Sequence, residues 1–251
     1  MRVLVTRPEP AATRTAEKLV GLGHKPVLLP LSRARHDAQA ALRALSAPVG
    51  IRGGAAATPA LPHPAIAVTS AEALRALSDA GASLTPFLDR RLFAVGQATA
   101  AAAEALGFRR IVTGHGNGAD LARLIADHPE GRTGIVYLAG RPRARGLEDA
   151  LAAAGIPVSV AVCYTMQPLD HDPNQVAALL EEANPDAVLV YSAETARALL
   201  SLLRGDALGG LAAAMTWYPL SAAIAAILPA TLSVATPPAR PDEDLLLSTL
   251  A

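Results

Sequence analysis

AIAVTSAEALRAL (65–77) and AVLVYSAETARAL (187–199) stand 122 positions apart and agree at eight of thirteen positions. Each is a short apolar run, then Ser-Ala-Glu, then a pattern with helical spacing, so Ser70 and Ser192 mark the same strand-to-helix turn in two related units. The same offset aligns AVGQATAAAAEALG (94–107) with TWYPLSAAIAAILP (216–229) and sets Thr99 against Ser221. A third pair, residues 3–27 and 136–158, matches once the offset drifts by about ten positions. Self-similarity at this scale is a two-fold repeat of a three-motif block, too long in period for a solenoid.

Outward from these motifs, apolar runs alternate with helical patterns. RVLVT (2–6), a helix over 9–22 stopped at Gly23, and PVLLPL (26–31) form a strand–helix–strand unit, whose parallel strands need a helical crossover. A helix follows at 37–46, and the Gly/Pro/Ala-rich 49–64 reads as a loop. Later strands are expected at 66–70, 92–96, 109–113, 134–140, 158–165, 187–192, 214–217 and 231–235. Helices are expected at 71–79, 97–106, 118–127, 145–154, 173–183, 193–204, 220–228 and 241–250. The expected fold class is α/β: two similar lobes, each a parallel sheet flanked by helices. LSRARHD (31–37) and YTMQPLDHD (164–172) break the rhythm at equivalent places and are the natural points for the chain to pass between lobes. The repeat alone would put a boundary near 130, between consecutive copies; crossing at these two segments instead makes one lobe of 1–31 with 170–251 and the other of 36–163, with linkers 32–35 and 164–169.

Composition narrows the classes. At 251 residues and 51% hydrophobic content the chain can bury two ordinary cores. A formal net charge of zero argues against a nucleic-acid partner. The single Cys163 lies in the apolar run VAVCYT and reads as a buried thiol in a reducing compartment. MRVLVTRP opens directly on a strand, and no apolar run reaches the length of a membrane span, so a soluble cytoplasmic protein is expected. The six histidines are scattered singly, without metal-ligand spacing, and no P-loop, dinucleotide fingerprint or nucleophile elbow occurs.

Ligands of open parallel sheets bind beyond the carboxyl ends of the strands, beside helix N-termini. Thr6-Arg7, Thr69-Ser70, Gly96 to Thr99, Gly140-Arg141, Tyr191-Ser192 and Tyr218 to Ser221 all fall there. Ser and Thr at such turns are also ordinary helix caps, and Glu72 and Glu194 suit the first helical turn electrostatically.

These motifs, in this order over nearly the whole length, resemble the uroporphyrinogen-III synthase family: VLVTRP, VTSAEAL, AVGQATAAAAEALG, LAGRPRARGLEDAL with AGIPV, VAVCYTM and VLVYSAETARALL. The resemblance implies two α/β lobes joined by a two-stranded linker, a linear tetrapyrrole substrate held in the cleft, and no metal or organic cofactor. It implies an activity that closes hydroxymethylbilane into uroporphyrinogen III with inversion of the last pyrrole. The family's cleft residues fall on Thr99, Tyr164 and Ser221, with Tyr164 the expected proton donor. Ser70, Ser192, Arg7 and Arg141, with Arg145 a further candidate, are expected to hold substrate. A monomer is expected. One departure stands out: the second copy reads Trp217-Tyr218-Pro219-Leu220 where the family carries a Gly-containing turn. It leaves a second reading open, a non-catalytic tetrapyrrole- or anion-binding paralogue.

Overall fold

The computed structural model describes residues 1–47, 64–204 and 206–250, so the loop expected at 49–64 lies outside the described residues but for Pro64. The chain runs β1 (Arg2–Val5), α1 (Ala11–Gly21), β2 (Lys25–Leu28), β3 (Ser32–His36) and α2 (Ala38–Ser46). It continues through β4 (Ala65–Val68), α3 (Ala71–Ser78), a 3-10 turn (Gly81–Phe87), β5 (Arg91–Ala94), α4 (Gln97–Ala105), β6 (Arg110–Thr113), α5 (Gly118–Asp127) and α6 (Pro129–Arg132). Then follow β7 (Ile135–Arg141), α7 (Gly146–Ala153), β8 (Val158–Pro168), α8 (Pro173–Ala183), β9 (Ala187–Val190) and α9 (Ala193–Leu202). The last elements are α10 (Asp206–Ala214), β10 (Thr216–Pro219), α11 (Ala222–Ala225), β11 (Ser233–Val234) and α12 (Glu243–Leu247).

Two compact units result: a terminal unit of Met1–Arg33 with Gln167–Ala251, and a middle unit of Ala34–Met166. The terminal unit holds a five-stranded sheet in the order β11-β10-β9-β1-β2, parallel throughout. The other sheet is six-stranded, β3-β8-β7-β4-β5-β6. Its strands from β8 to β6 are parallel. Around β3, the Asp37 N–H donates to the Cys163 carbonyl and the Leu169 N–H to the Leu31 carbonyl. Rising numbers on one strand thus meet falling numbers on the other, and β3 runs antiparallel to β8. This corrects the expectation of a purely parallel sheet: the polar 31–37 segment is an edge strand of alternating exposure, where charged side chains on the open face are tolerated.

Each unit draws its first strand–helix–strand piece from one copy of the repeat and its remaining strands from the other. Thus β1-α1-β2 joins β9, β10 and β11, whereas β7-α7-β8 joins β4, β5 and β6. The central strands are buried on both faces. In β4, Ile66 and Val68 pack in one cluster while Ala65 and Ala67 pack in another. In β1 and β9, Leu4, Val188 and Val190 face one cluster and Val3, Val5, Ala187 and Leu189 the other. Helices cover both faces, as parallel sheets require. Each fully buried Val, Leu or Ile contributes about 1.5–3 kcal/mol of transfer free energy.

Backbone bonds correct the repeat register. The Val95 N–H donates to the Val68 carbonyl at 3.0 Å, and the Leu220 N–H donates to the Val190 carbonyl at 2.9 Å. These are the same bond in the two units, so the offset is 122 up to Val190 but 125 from β10 onward. Ser221, which caps α11, therefore corresponds to Gly96, which caps α4, and not to Thr99; the counterpart of Thr99 is Ile224. Tyr218 corresponds to Phe93, a core residue of β5, and lies within β10 at 7% exposure. It is not a turn residue. The reading of a strand at 214–217 followed by a turn fails because Trp217 pairs with Val188 deep in the sheet and its indole N–H donates to the Ala212 carbonyl at 3.0 Å. That bond folds the ring back on α10, a helix without a strong amphipathic signal in the sequence.

Truncating a buried aromatic costs about 3–5 kcal/mol. Tyr218→Ala is accordingly expected to lower unfolding stability by about 3 kcal/mol, read from urea unfolding curves. A change under about 1 kcal/mol would return Tyr218 to a solvent-facing turn.

Candidate functional site

In both sheets the parallel strands end on one edge, and the helix N-termini begin there. In the middle unit Ser70 caps α3, its hydroxyl accepting the Glu72 N–H at 3.1 Å. Ser192 in the terminal unit accepts the Thr195 N–H at 3.0 Å and donates to the Thr195 hydroxyl at 2.9 Å. Ser221 accepts the Ile224 N–H at 3.4 Å. Gly96 caps α4 in an extended conformation (φ −170°), as does Ser221 (φ −154°). Neither needs glycine, so the substitution that set the second copy apart leaves the turn geometry intact. Thr99 is the third residue of α4, 6% exposed, its N–H bonded to the Gly96 carbonyl at 3.1 Å.

Tyr164 is positioned by a bulge. Along β7 and β8, Tyr137 pairs with Val160 and Ala139 with Val162, after which the register slips so that Gly140 pairs with Tyr164. Cys163 is the inserted residue. Its carbonyl accepts the Asp37 N–H of the edge side at 2.7 Å, and its thiol donates to the Ala139 carbonyl at 3.5 Å. A bulge re-aims the residues beyond it. Here it lays the half-buried Tyr164 ring on Gly140, where an added Cβ would come within 2.5 Å of the phenol oxygen. Burial raises the Tyr164 phenol above its usual value, with the Ser70 hydroxyl opposing in part. It stays protonated throughout the neutral range. Burial likewise pushes the Cys163 thiol up to about 12.

Around this pair, Tyr137, His36, Arg143 and Glu148 are groups that the sequence reading does not single out. The Tyr137 hydroxyl shares a 2.8 Å hydrogen bond with Thr69, and burial raises its phenol too. Glu72, 8% exposed, is bonded by His36 at 2.9 Å and by Arg75. Its role thus extends beyond favouring the helix dipole. Its partner His36 comes from β3, a pairing no local pattern announces. Arg141 ends β7 exposed, and Arg145 precedes α7 exposed. The arginine nearest the buried carboxylate Glu148 is Arg143, at 2.6 Å.

In the terminal unit, Arg7 follows β1 with its guanidinium 4.1 Å from the centre of the Tyr191 ring, bonded to Glu243 and, at 3.1 Å, to the Thr15 hydroxyl. Three further side chains donate to Glu243: the Tyr191 hydroxyl at 2.9 Å, the Thr15 hydroxyl at 2.6 Å and the Lys18 ammonium at 2.9 Å. Burial alone would raise the Glu243 carboxyl, but the Thr15 hydroxyl, the Arg7 charge, Lys18 and Tyr191 outweigh it and hold it at about 2. Burial and the Glu243 charge push the Tyr191 phenol well up. Among the described residues no three His, Cys, Asp or Glu side chains converge as a metal site, and no helix is long and apolar enough to cross a membrane.

The sequence matches the family model described as uroporphyrinogen-III synthase HemD over residues 13–228. A search of curated proteins gives no match. Among solved structures, uroporphyrinogen-III synthetase from Helicobacter pylori aligns with a TM-score of 0.59 at 15% identity, covering 99% of this chain and 97% of that one. A mutant uroporphyrinogen III synthase from the extremely thermophilic bacterium Thermus thermophilus aligns with a TM-score of 0.54 at 21% identity, covering 99% and 96%. At these identities the likeness establishes the fold.

Two outcomes follow from the side-chain environments. Glu243 has a depressed pKa, so its stabilisation is complete above the ordinary carboxyl value of 4.5 and fades as pH falls toward about 2. Glu243→Gln should therefore cost about 2–3 kcal/mol near pH 7, with the gap from the parent closing between about pH 4.5 and 2. Chemical unfolding across that range measures it, and a gap constant with pH would count against the network. The Cys163 thiol should resist a disulfide reagent at pH 8 in the folded protein and react on unfolding.

Proposed function

The chain belongs to the uroporphyrinogen-III synthase family, and we propose that it closes hydroxymethylbilane to uroporphyrinogen III through proton donation by Tyr164. In this reading it is a cofactor-independent, cyclising hydro-lyase of tetrapyrrole biosynthesis that acts as a monomer. The observation that carries the assignment of roles is the Gly140–Tyr164 pair: a protonated phenol, packed on bare backbone and beside the Ser70 hydroxyl, at the carboxyl ends of the strands.

The chemistry asks little of the protein by way of acid or base. The substrate hydroxyl takes the phenol proton and departs as water while the electrons of the pyrrole nitrogen form the exocyclic double bond. The substituted carbon of the last pyrrole then attacks that methylene to give a spiro intermediate. Fragmentation and reclosure at the other α-carbon invert the ring, and loss of the final ring proton restores both the pyrrole and the phenol. General acid catalysis supplies ~10²–10⁴-fold. Holding the ends of the bilane in reacting geometry is the larger part.

That holding is assigned to backbone N–H groups at the helix starts, where Ser70, Ser192 and Ser221 fix the turns, and to exposed Arg141. Thr99, 6% exposed, shapes the first turn of α4. The paralogue reading drew on Tyr218 standing in a glycine turn. With Tyr218 in the core and Ser221 at the cap, that support is gone.

The deciding assay incubates the protein with freshly prepared hydroxymethylbilane and separates the oxidised products. The type III isomer is expected, and the spontaneous type I isomer alone would defeat the proposal. Tyr164→Phe should lower kcat by roughly 10²-fold, the low end for a lost general acid, because the pyrrole itself drives ionisation. Its Tm should fall by no more than about 2–4 °C, the cost of one net hydrogen bond. Gly140→Ala should lower kcat similarly by displacing the ring. Turnover unchanged in both variants would remove Tyr164 from the mechanism.

A further inference from the structure

The Glu243 carboxylate is surrounded by more donors than a helix staple requires. The Arg7 guanidinium carbon lies 4.1 Å from the centre of the Tyr191 ring, Thr15 is fully buried, and both side chains donate to the same oxygen, Oε1, as does the Tyr191 hydroxyl; Lys18 closes on Oε2 at 2.9 Å. Lys18 also reaches Asp244 at 2.6 Å. Arg7 follows β1, Thr15 and Lys18 belong to α1, and Tyr191 follows β9. Arg7 and Tyr191 are thus set at the carboxyl ends of two central strands and Thr15 and Lys18 on the helix between β1 and β2, whereas the carboxylate comes from the last helix described. Glu243 is the first residue of α12, whose hold on the core rests on other side chains: Leu246 and Leu247, 1% and 3% exposed. Its side chain can swing away by rotation about its own bonds while the helix stays docked, and with 23% of its surface exposed it is open to exchange.

We propose that Arg7, Thr15, Lys18 and Tyr191 form a carboxylate receptor on the terminal unit, filled by Glu243 in the free protein and taken over by a carboxylate arm of the substrate. The identity of that arm rests on the function proposed above; the receptor itself rests on the geometry. A fork of one guanidinium, two hydroxyls and an ammonium matches a carboxylate in shape and charge. An internal carboxylate on such a site acts as a tethered competitor, so its removal should tighten binding of a free one.

The test titrates succinate into the parent and into Glu243→Ala, following binding by isothermal titration calorimetry. The vacated receptor should bind succinate at least tenfold more tightly than the parent, and adding Arg7→Ala to the Glu243→Ala background should abolish that gain. Equal succinate affinity in parent and variant would overturn the receptor and leave Glu243 a staple. Should Glu243→Ala not fold, Glu243→Gln, isosteric but uncharged, must show the gain, and its absence overturns the proposal equally. With hydroxymethylbilane, Glu243→Ala should lower KM several-fold. An unchanged KM beside a succinate gain would overturn the substrate arm as occupant. Failure of the parent to yield the type III isomer would instead defeat the synthase reading and leave the succinate result standing.

Discussion

Parallel pairing is the constraint from which the rest descends. Two parallel strands cannot be joined by a tight turn, so every return passes through a helix over the sheet, and all the strands finish on one edge. At that edge the first N–H groups of each helix lack intrahelical partners and must find others. Ser70, Ser192 and Ser221 supply one partner each, and helix starts of this kind favour anions in general. The capping serines and the expected binding surface thus share one cause.

Where the parallel rule is broken, Tyr164 is set in its place. β3 pairs antiparallel with β8, and opposite it β8 carries an extra residue. The inserted Cys163 turns its carbonyl to the Asp37 N–H and its thiol inward, and the face of every later residue reverses. Tyr164 then meets Gly140, the one residue type in β7 whose missing side chain leaves room for a phenol ring. Packing and chemistry coincide: the burial that seats the ring also keeps its proton in place.

The two units meet the same architectural demand with different polar fillings. At the carboxyl edge of the middle unit stand two phenols, Tyr137 and Tyr164, with hydroxyl partners. At the corresponding edge of the terminal unit stands a charged knot of Arg7, Lys18 and Glu243 around Tyr191. A duplicated scaffold therefore carries a neutral, hydroxyl-lined edge in one unit and a charged edge in the other.

Local pattern in the sequence was enough for the class of fold, the strand–helix alternation and the capping roles of Ser70 and Ser192. These depend on local periodicity and short-range hydrogen bonding, which eight shared residues in thirteen suffice to display. Tertiary structure alone decided the true counterpart of Ser221, because a three-residue drift in offset is invisible in alanine-rich helices and is fixed only by which amide reaches Val190. It alone placed Tyr218 in the core, turned Tyr164 onto Gly140, paired His36 with Glu72, and brought Glu243 to Arg7 across 236 positions. Register, bulges and long-range ion pairs are settled by packing between elements, and no local pattern of side chains records them.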